Sequence, residues 1–388
     1  MTRLASSLME KELTIDSILI FSTFLMCIMK DITSISKRRL ACFLFLFSLL
    51  SCMYDIRATG IDASPCDAQA NTQTKALYRY LRDEVWGRKV LSGCQALWNY
   101  NTTEAEKIKN YCGKYPAINV FDFQHYIDSE KGVDWINYHE TQAKDWQNNG
   151  GIVGFMWHWN VPINVFSEDI GWYGFYTPGQ GSNITYMSPA KAVQEGTIEH
   201  RIINRELDII AQYLLEYQSQ GVAVLWRPLH EAAGNTNTYT NGKAWFWWGA
   251  DGAEAFKKLY RYMFHYFQGK GIHNLIYIWT SQINDPDWYP GDEYVDIVAR
   301  DNYSFVNHES GKNEFTILSE RYPNKMIALA ECGVVPAAEE MEREGAKWLF
   351  VAPWCSDEYV PGKNDEAFWQ QFMQSSFIIT RDQVDVNK

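Results

Sequence analysis

A chain of 388 residues, 46% hydrophobic and 21% charged, has the balance of a large globular protein and not of a disordered or fibrous one. Its formal net charge of −12 offers no basic stripe for phosphates, which excludes nucleic acid as a partner and favours a neutral, hydrogen-bonding ligand over a polyanion. The 16 Trp, 23 Tyr and 20 Phe can fill a large core, and any left at the surface would offer flat faces to the apolar C–H sides of sugar rings.

Two apolar runs come first, at 15–29 and 40–50, both shorter than the roughly 20 residues that span a bilayer comfortably. The second follows Lys37, Arg38 and Arg39 and ends Leu49-Leu50-Ser51-Cys52, the layout of an export signal. That ending resembles a bacterial lipobox, which makes Cys52 the lipidated N-terminus after cleavage, with Met29 as the true start and residues 1–28 an over-extended frame. Ordinary cleavage nearer Ala58 or Ala63 is the alternative. The expected organisation is a targeting segment over 1–51, a tether over 52–67 and one folded domain over 68–388. The expected location is the bacterial envelope, with the membrane reached only through the lipid on Cys52. Of the eight cysteines, Cys66, Cys94, Cys112, Cys332 and Cys355 remain after the leader. An exported protein can form disulfides, but their connectivity is not readable from spacing. No His or Cys pair has zinc-ligand spacing, so no metal is expected.

Short runs rich in Val, Ile, Leu and aromatics predict eight strands, at 89–95, 116–123, 151–159, 221–231, 274–281, 295–303, 325–333 and 347–354. They largely lack polar alternation, as strands buried on both faces should. In 201–220, Ile203, Leu207, Ile210 and Leu214 recur at helical spacing and Gly221 ends the run. Phe256, Leu259, Tyr260, Met263, Phe264 and Phe267 form one apolar face over 253–268, and 134–148 and 364–375 follow the pattern less regularly. Eight strand–helix alternations predict a single-domain α/β protein, a (β/α)8 TIM barrel, with a doubly wound open sheet as the alternative. The aromatic-laced segment 160–188 is too long for a mere connection, and loops after barrel strands build active sites.

In such a barrel the C-terminal ends of the strands carry chemistry. The third strand ends Trp157-His158-Trp159-Asn160, and the fourth runs Trp226-Arg227-Pro228-Leu229-His230-Glu231. The sixth ends Arg300-Asp301-Asn302-Tyr303, and the seventh ends Ala330-Glu331-Cys332-Gly333. Glu231 and Glu331 each close an apolar strand, where a carboxylate without a use or a partner is costly. Strands four and seven face each other across the mouth, so the two carboxyl groups can stand about 5–5.5 Å apart, as cleavage of a glycosidic bond with retention requires. Arg227 and the Tyr303 hydroxyl would favour the charged form of a nucleophile. Asp122 and His125 end the second strand on the same face, as substrate contacts or supports. Arg300 and Asp301 offer an internal ion pair, and Trp157, Trp159, Trp247, Trp248 and Trp279 suit the core.

Trp-Arg-Pro-Leu-His-Glu at 226–231, followed by Trp245-Phe246-Trp247-Trp248-Gly249, resembles the acid/base segment of glycoside hydrolase family 26, chiefly β-1,4-mannanases. Gly150–Val153 followed by Trp-His-Trp-Asn, and Ala-Glu-Cys-Gly around Glu331, resemble its other signature segments. The resemblance implies Glu231 as acid/base, Glu331 as nucleophile and Tyr303 as its orienting group. It implies that His230 bonds the sugar or the nucleophile, and that His158 and Trp172 contact substrate on the glycone side. Trp354 would floor the subsite where the bond breaks, with Trp245 on the aglycone side. Two departures stand out: nine residues, 235–243, interrupt the join before Ala244 and Trp245, and Cys355 stands where some relatives carry a substrate-binding Arg.

The function so implied is retaining hydrolysis of β-1,4-mannosidic bonds in mannan, glucomannan or galactomannan, by a monomer needing no cofactor. A relative acting on mixed-linkage glucan or β-1,3-xylan shares the same carboxylates. A non-catalytic glycan-binding lipoprotein is a third reading, but it has no need of both carboxylates with their Arg, His and Tyr neighbours.

Overall fold

In the computed structural model, which describes residues 60–96, 101–127, 142–166, 173–236 and 242–387, the eight runs become eight parallel strands. They are β1 (Val90–Gln95), β2 (Ile118–Asp122), β3 (Ile152–Trp157), β4 (Val224–Pro228), β5 (Leu275–Ser281), β6 (Ile297–Asn302), β7 (Met326–Cys332) and β8 (Phe350–Pro353). Neighbours in sequence pair in order, and β1 pairs with β8 through Leu91 with Phe350 and Ser92 with Val351, closing the barrel. A two-residue strand, Ile378–Ile379, adds to β1. The leader, including Cys52, lies outside the described residues, as does Trp172.

Alternation along each strand divides its side chains between two cores. Leu91, Ile118, Val120, Ile152, Leu225, Ile276, Ile278, Ile297, Ala299, Met326 and Ala328 pack inside the barrel. Val90, Val153, Phe155, Trp157, Trp226, Tyr277, Trp279, Val298 and Ile327 face the outer layer, and both sets are buried. The absence of polar alternation follows from burial on both faces. The outer layer contains α1 (Thr72–Tyr80), α2 (Thr103–Cys112), α3 (Ala143–Asn148), α4 (Ile198–Ser219), α5 (Ala253–Gly269), α6 (Lys312–Arg321), α7 (Ala338–Glu344) and α8 (Glu366–Gln374). The expected helices at 201–220, 253–268 and 364–375 are α4, α5 and α8; of the one expected at 134–148, the described part is α3. The Thr197 side chain caps α4 by accepting from the His200 N–H, and left-handed Gly221 follows its end. Between β5 and β6 two single 3-10 turns, Pro286–Trp288 and Asp292–Tyr294, stand in place of a helix.

One strand breaks its own alternation. Leu329 pairs with Arg300, yet the next pair is Asp301 with Glu331; on the other side Leu329 pairs with Val351 and Cys332 with Pro353. β7 therefore carries one extra residue, Ala330, against both neighbours, which is a β-bulge. Met326, Ala328 and Ala330 point inward and Ile327 and Leu329 outward, so unbroken alternation would turn Glu331 outward. The bulge returns it to the interior.

At the opposite end of the barrel, residues 60–71 lie across the strand starts. The Cys66 N–H donates to Asp296 Oδ1 at 2.6 Å, Asp67 pairs with His273 Nδ1 at 2.8 Å, and Lys325 Nζ donates to Asp62 Oδ2 at 2.6 Å. Asp296, His273 and Lys325 all immediately precede β6, β5 and β7 or stand two residues before. The five cysteines of the described residues are all free.

Candidate active site

Glu231 and Glu331 meet at the C-terminal mouth. One carboxylate oxygen each from Glu231, Asp301 and Glu331 lie within 4.8 Å of one another. The Arg227 guanidinium sits among them: Nη1 donates to Asp301 Oδ2 at 2.9 Å and to Thr280 Oγ1 at 3.2 Å, while Nη2 donates to Glu331 Oε1. Arg227, Asp301 and Glu331 are 3%, 3% and 4% exposed, so their charges meet with little water between them. The Tyr303 hydroxyl donates to Glu331 Oε2 at 2.8 Å. Both oxygens of Glu331 thus accept from strong donors, which fix its orientation.

Glu231 differs in both backbone and surroundings. Leu229 and Glu231 adopt left-handed conformations, φ 51° and 52°, in the turn that leaves β4. Such residues cost on the order of 1–3 kcal/mol each and persist where the surroundings impose them. Here the turn lifts Glu231 from the strand to the mouth. Burial first, then the negative charges of Asp301 and Glu331, push the Glu231 carboxyl well above its ordinary range against the pull of Arg227. A carboxyl raised by burial and like charge opposite another held by cationic and hydroxyl donors is the contrast that an acid and a nucleophile require.

The histidines form the adjoining wall. His158 donates its backbone N–H to Asp122 Oδ1 at 3.0 Å, and its Nδ1 lies 2.5 Å from Asp122 Oδ2. Burial alone would raise Asp122, but the His158 ring and backbone bonds bring it below its ordinary value. The carboxylate therefore accepts, Nδ1 carries the proton, and Asp122 is a support. His158 meets the His230 ring at right angles, 4.5 Å between centroids, and the Trp354 ring at 6.0 Å. His230 Nε2 stands 3.9 Å from Glu331 Oε1, outside hydrogen-bond reach. Burial, then the positive charge of Arg227, hold His230 well below its ordinary value and hence neutral. Its carbonyl accepts from Trp248 Nε1 at 2.8 Å, which fixes the turn before Glu231.

Trp354 and Trp245 are each half-buried, Trp354 just beyond β8 with its N–H donating to the Cys332 carbonyl at 3.0 Å. Trp157, Trp159, Trp247, Trp248 and Trp279 are core residues, each at most 1% exposed. The Arg300–Asp301 ion pair does not form. Adjacent strand residues point to opposite faces, so Asp301 turns inward to Arg227 while Arg300 pairs outward with Glu314 at 2.9 Å. At the interrupted join, Gly234 (φ 51°) lies so close to Trp245 that an added Cβ would stand 2.8 Å from the Trp245 nitrogen. The neck around 235–243 is therefore closed by the Asn235 N–H to Lys243 carbonyl bond at 3.1 Å. Phe175, Phe246 and Gln95 have no role among the expectations from sequence, yet they lie at the site: the two Phe rings line the histidines at 5.1–5.8 Å, and Gln95 ends β1 inside the barrel.

Facing carboxylates at the ends of the fourth and seventh strands of a (β/α)8 barrel make the layout of a retaining glycoside hydrolase. The chain belongs to glycosyl hydrolase family 26, which it matches over residues 66–383. Among solved structures it is similar to the GH26 domain of an endo-β-mannanase/endo-β-glucanase from Prevotella bryantii, with 41% identity and a TM-score of 0.76 over 84% of this chain and 100% of that one. It is also similar to a β-mannanase from a symbiotic protist of the termite Reticulitermes speratus, solved with gluco-manno-oligosaccharide, at 31% identity and a TM-score of 0.73 over 84% of this chain and 98% of that one. A mannan endo-1,4-β-mannosidase of Thermothelomyces thermophilus is 33% identical over 84% of this chain, which spans 64% of that protein's length. Against two Piromyces mannan endo-1,4-β-mannosidases the chain spans 47% and 44% of their length.

Proposed function

We propose that this chain hydrolyses β-1,4-mannosidic bonds in mannan, glucomannan or galactomannan with retention at the anomeric carbon. The observation that carries the reading is that one carboxylate oxygen of Glu231 and one of Glu331 lie within 4.8 Å of each other, an approach that suits the close spacing of double displacement. The mannanase relatives support the substrate class. Glu331 attacks the anomeric carbon while Glu231 gives its proton to the departing glycosidic oxygen, leaving a glycosyl ester on Glu331. Glu231, now ionised, takes a proton from water as that water attacks the same carbon and frees Glu331. Proton transfer and a carboxylate suffice for both steps. The test is proton NMR of the first product from manno-oligosaccharides together with Glu331→Ala. A β-anomer formed first, and no turnover by the variant, are expected; an initial α-anomer or full activity of Glu331→Ala would sink the reading.

We infer further that the leader exports the chain and that Cys52 is lipidated. The basic residues, apolar run and Leu-Leu-Ser-Cys ending support this. Labelled palmitate should enter the native chain and not Cys52→Ala, and that variant should leave the membrane fraction; equal labelling of both would refute it.

A further inference from the structure

Alternation along β7 points Glu331 away from the mouth, and the bulge at Ala330 restores it. A bulge gives up ladder hydrogen bonds, so something must receive the polar groups it releases. The Ala330 carbonyl, one peptide before the nucleophile, accepts from Gln95 Nε2 at 2.8 Å. Gln95 ends β1, two strands away, and crosses the barrel interior past β8 to reach it. Leu91 and Ala352 are among the side chains packed inside the barrel there, and Gln95 is 0% exposed. Its other amide atom, Oε1, has no hydrogen-bond partner among the described residues. A fully buried amide with one end unsatisfied is costly, and it persists here with its donor end on the bulge.

We propose that Gln95 is the positioning residue for the nucleophile: its amide holds the Ala330 carbonyl and so sets the direction in which Glu331 leaves β7. Arg227 and Tyr303 hold the carboxylate end of Glu331, and Gln95 holds its backbone end. This rests on Glu331 as nucleophile, and the two claims separate under one experiment. Gln95→Leu keeps the volume without a donor, Gln95→Met keeps the length, and Gln95→Glu donates only when its carboxyl is protonated. Each is assayed for kcat and KM on mannohexaose, for thermal midpoint, and for the rate at which a 2-deoxy-2-fluoro-β-mannobiosyl fluoride esterifies Glu331, followed by peptide mass.

Misplacement by an ångström can cost about a hundredfold. Gln95→Leu and Gln95→Met should therefore lose about 10–100-fold in kcat and in esterification rate with KM nearly unchanged. Gln95→Glu should recover activity relative to the parent chain as pH falls, a readout that packing alone would not move. Esterification of Glu331 at the parent rate in Gln95→Leu would overturn the role of Gln95, as would a Gln95→Glu deficit that is constant with pH. Failure of the parent chain to be labelled on Glu331 would overturn the nucleophile and with it this inference.

Discussion

Asp122 takes two hydrogen bonds from a single residue, the backbone N–H of His158 at 3.0 Å and its ring Nδ1 at 2.5 Å. The pair locks both the position of the turn after β3 and the tautomer of the ring. With Nδ1 protonated, Nε2 is the nitrogen left to face a ligand. Asp122→Asn keeps an acceptor for the backbone but loses the charge that selects the tautomer. A hydrogen bond to a charged group contributes about 1.5–3 kcal/mol, so kcat/KM on manno-oligosaccharides should fall at least about tenfold. Nitrogen NMR of His158 should show the tautomer populations shifting, and unchanged populations would place the effect elsewhere.

Glu231 should set the alkaline limb of activity. Its carboxyl is raised by burial and by two neighbouring carboxylates, so the acid form survives above the ordinary carboxylate range and is lost as pH climbs through the raised value. Glu231→Ala should lower turnover of mannan by about 10²–10⁴-fold. It should affect glycosylation by an activated aryl mannoside far less and should remove the alkaline limb for that substrate. Equal losses on both substrates would exclude Glu231 as the acid.

The same raised value has a consequence for stability. Between the ordinary carboxylate range and the raised value, the folded chain keeps a proton that the unfolded chain has released, so stability falls as pH rises through that window. Glu231→Gln cannot ionise and escapes the fall. Its thermal midpoint should match the parent near about pH 4, below the usual Glu value, and exceed it at neutral pH. A pH-independent difference between the two chains would refute this.

Arg227 should be costly to remove. It sits 3% exposed between Asp301 and Glu331, so Arg227→Met leaves two buried carboxylates facing each other without their cation. Removing one partner of a buried pair costs about 3–5 kcal/mol. Urea unfolding should show a loss of that size at neutral pH, shrinking toward acid pH as the carboxyls protonate. A loss under about 1 kcal/mol, typical of an exposed pair, would mean that water reaches the cluster.

The barrel was legible because burial on both faces leaves a strong mark: eight dense apolar runs, each containing an observed strand. Helices with a wide apolar face were legible as well, α5 above all. Helices α1, α2, α6 and α7 fall outside the expected helical ranges; only Leu318 is buried in α6, and only Ala338 and Met341 in α7. Glu231 and Glu331 stand out in the sequence because each interrupts an apolar run at a strand end. The partner of Asp301 was misread because sequence adjacency suggested Arg300, whereas the pleat sends the two side chains to opposite faces. Gln95 carried no signal beyond being a polar residue at the end of β1, because its role depends on a one-residue slip in β7 that no local pattern announces.

The residues that run beneath the barrel, from Gly60 to Asn71, are fastened at Asp296, His273 and Lys325. The polypeptide consequently enters the domain at the base, with the reacting groups at the far end of the strands. The bonds that fasten this segment are thus separate from those that hold the carboxylates.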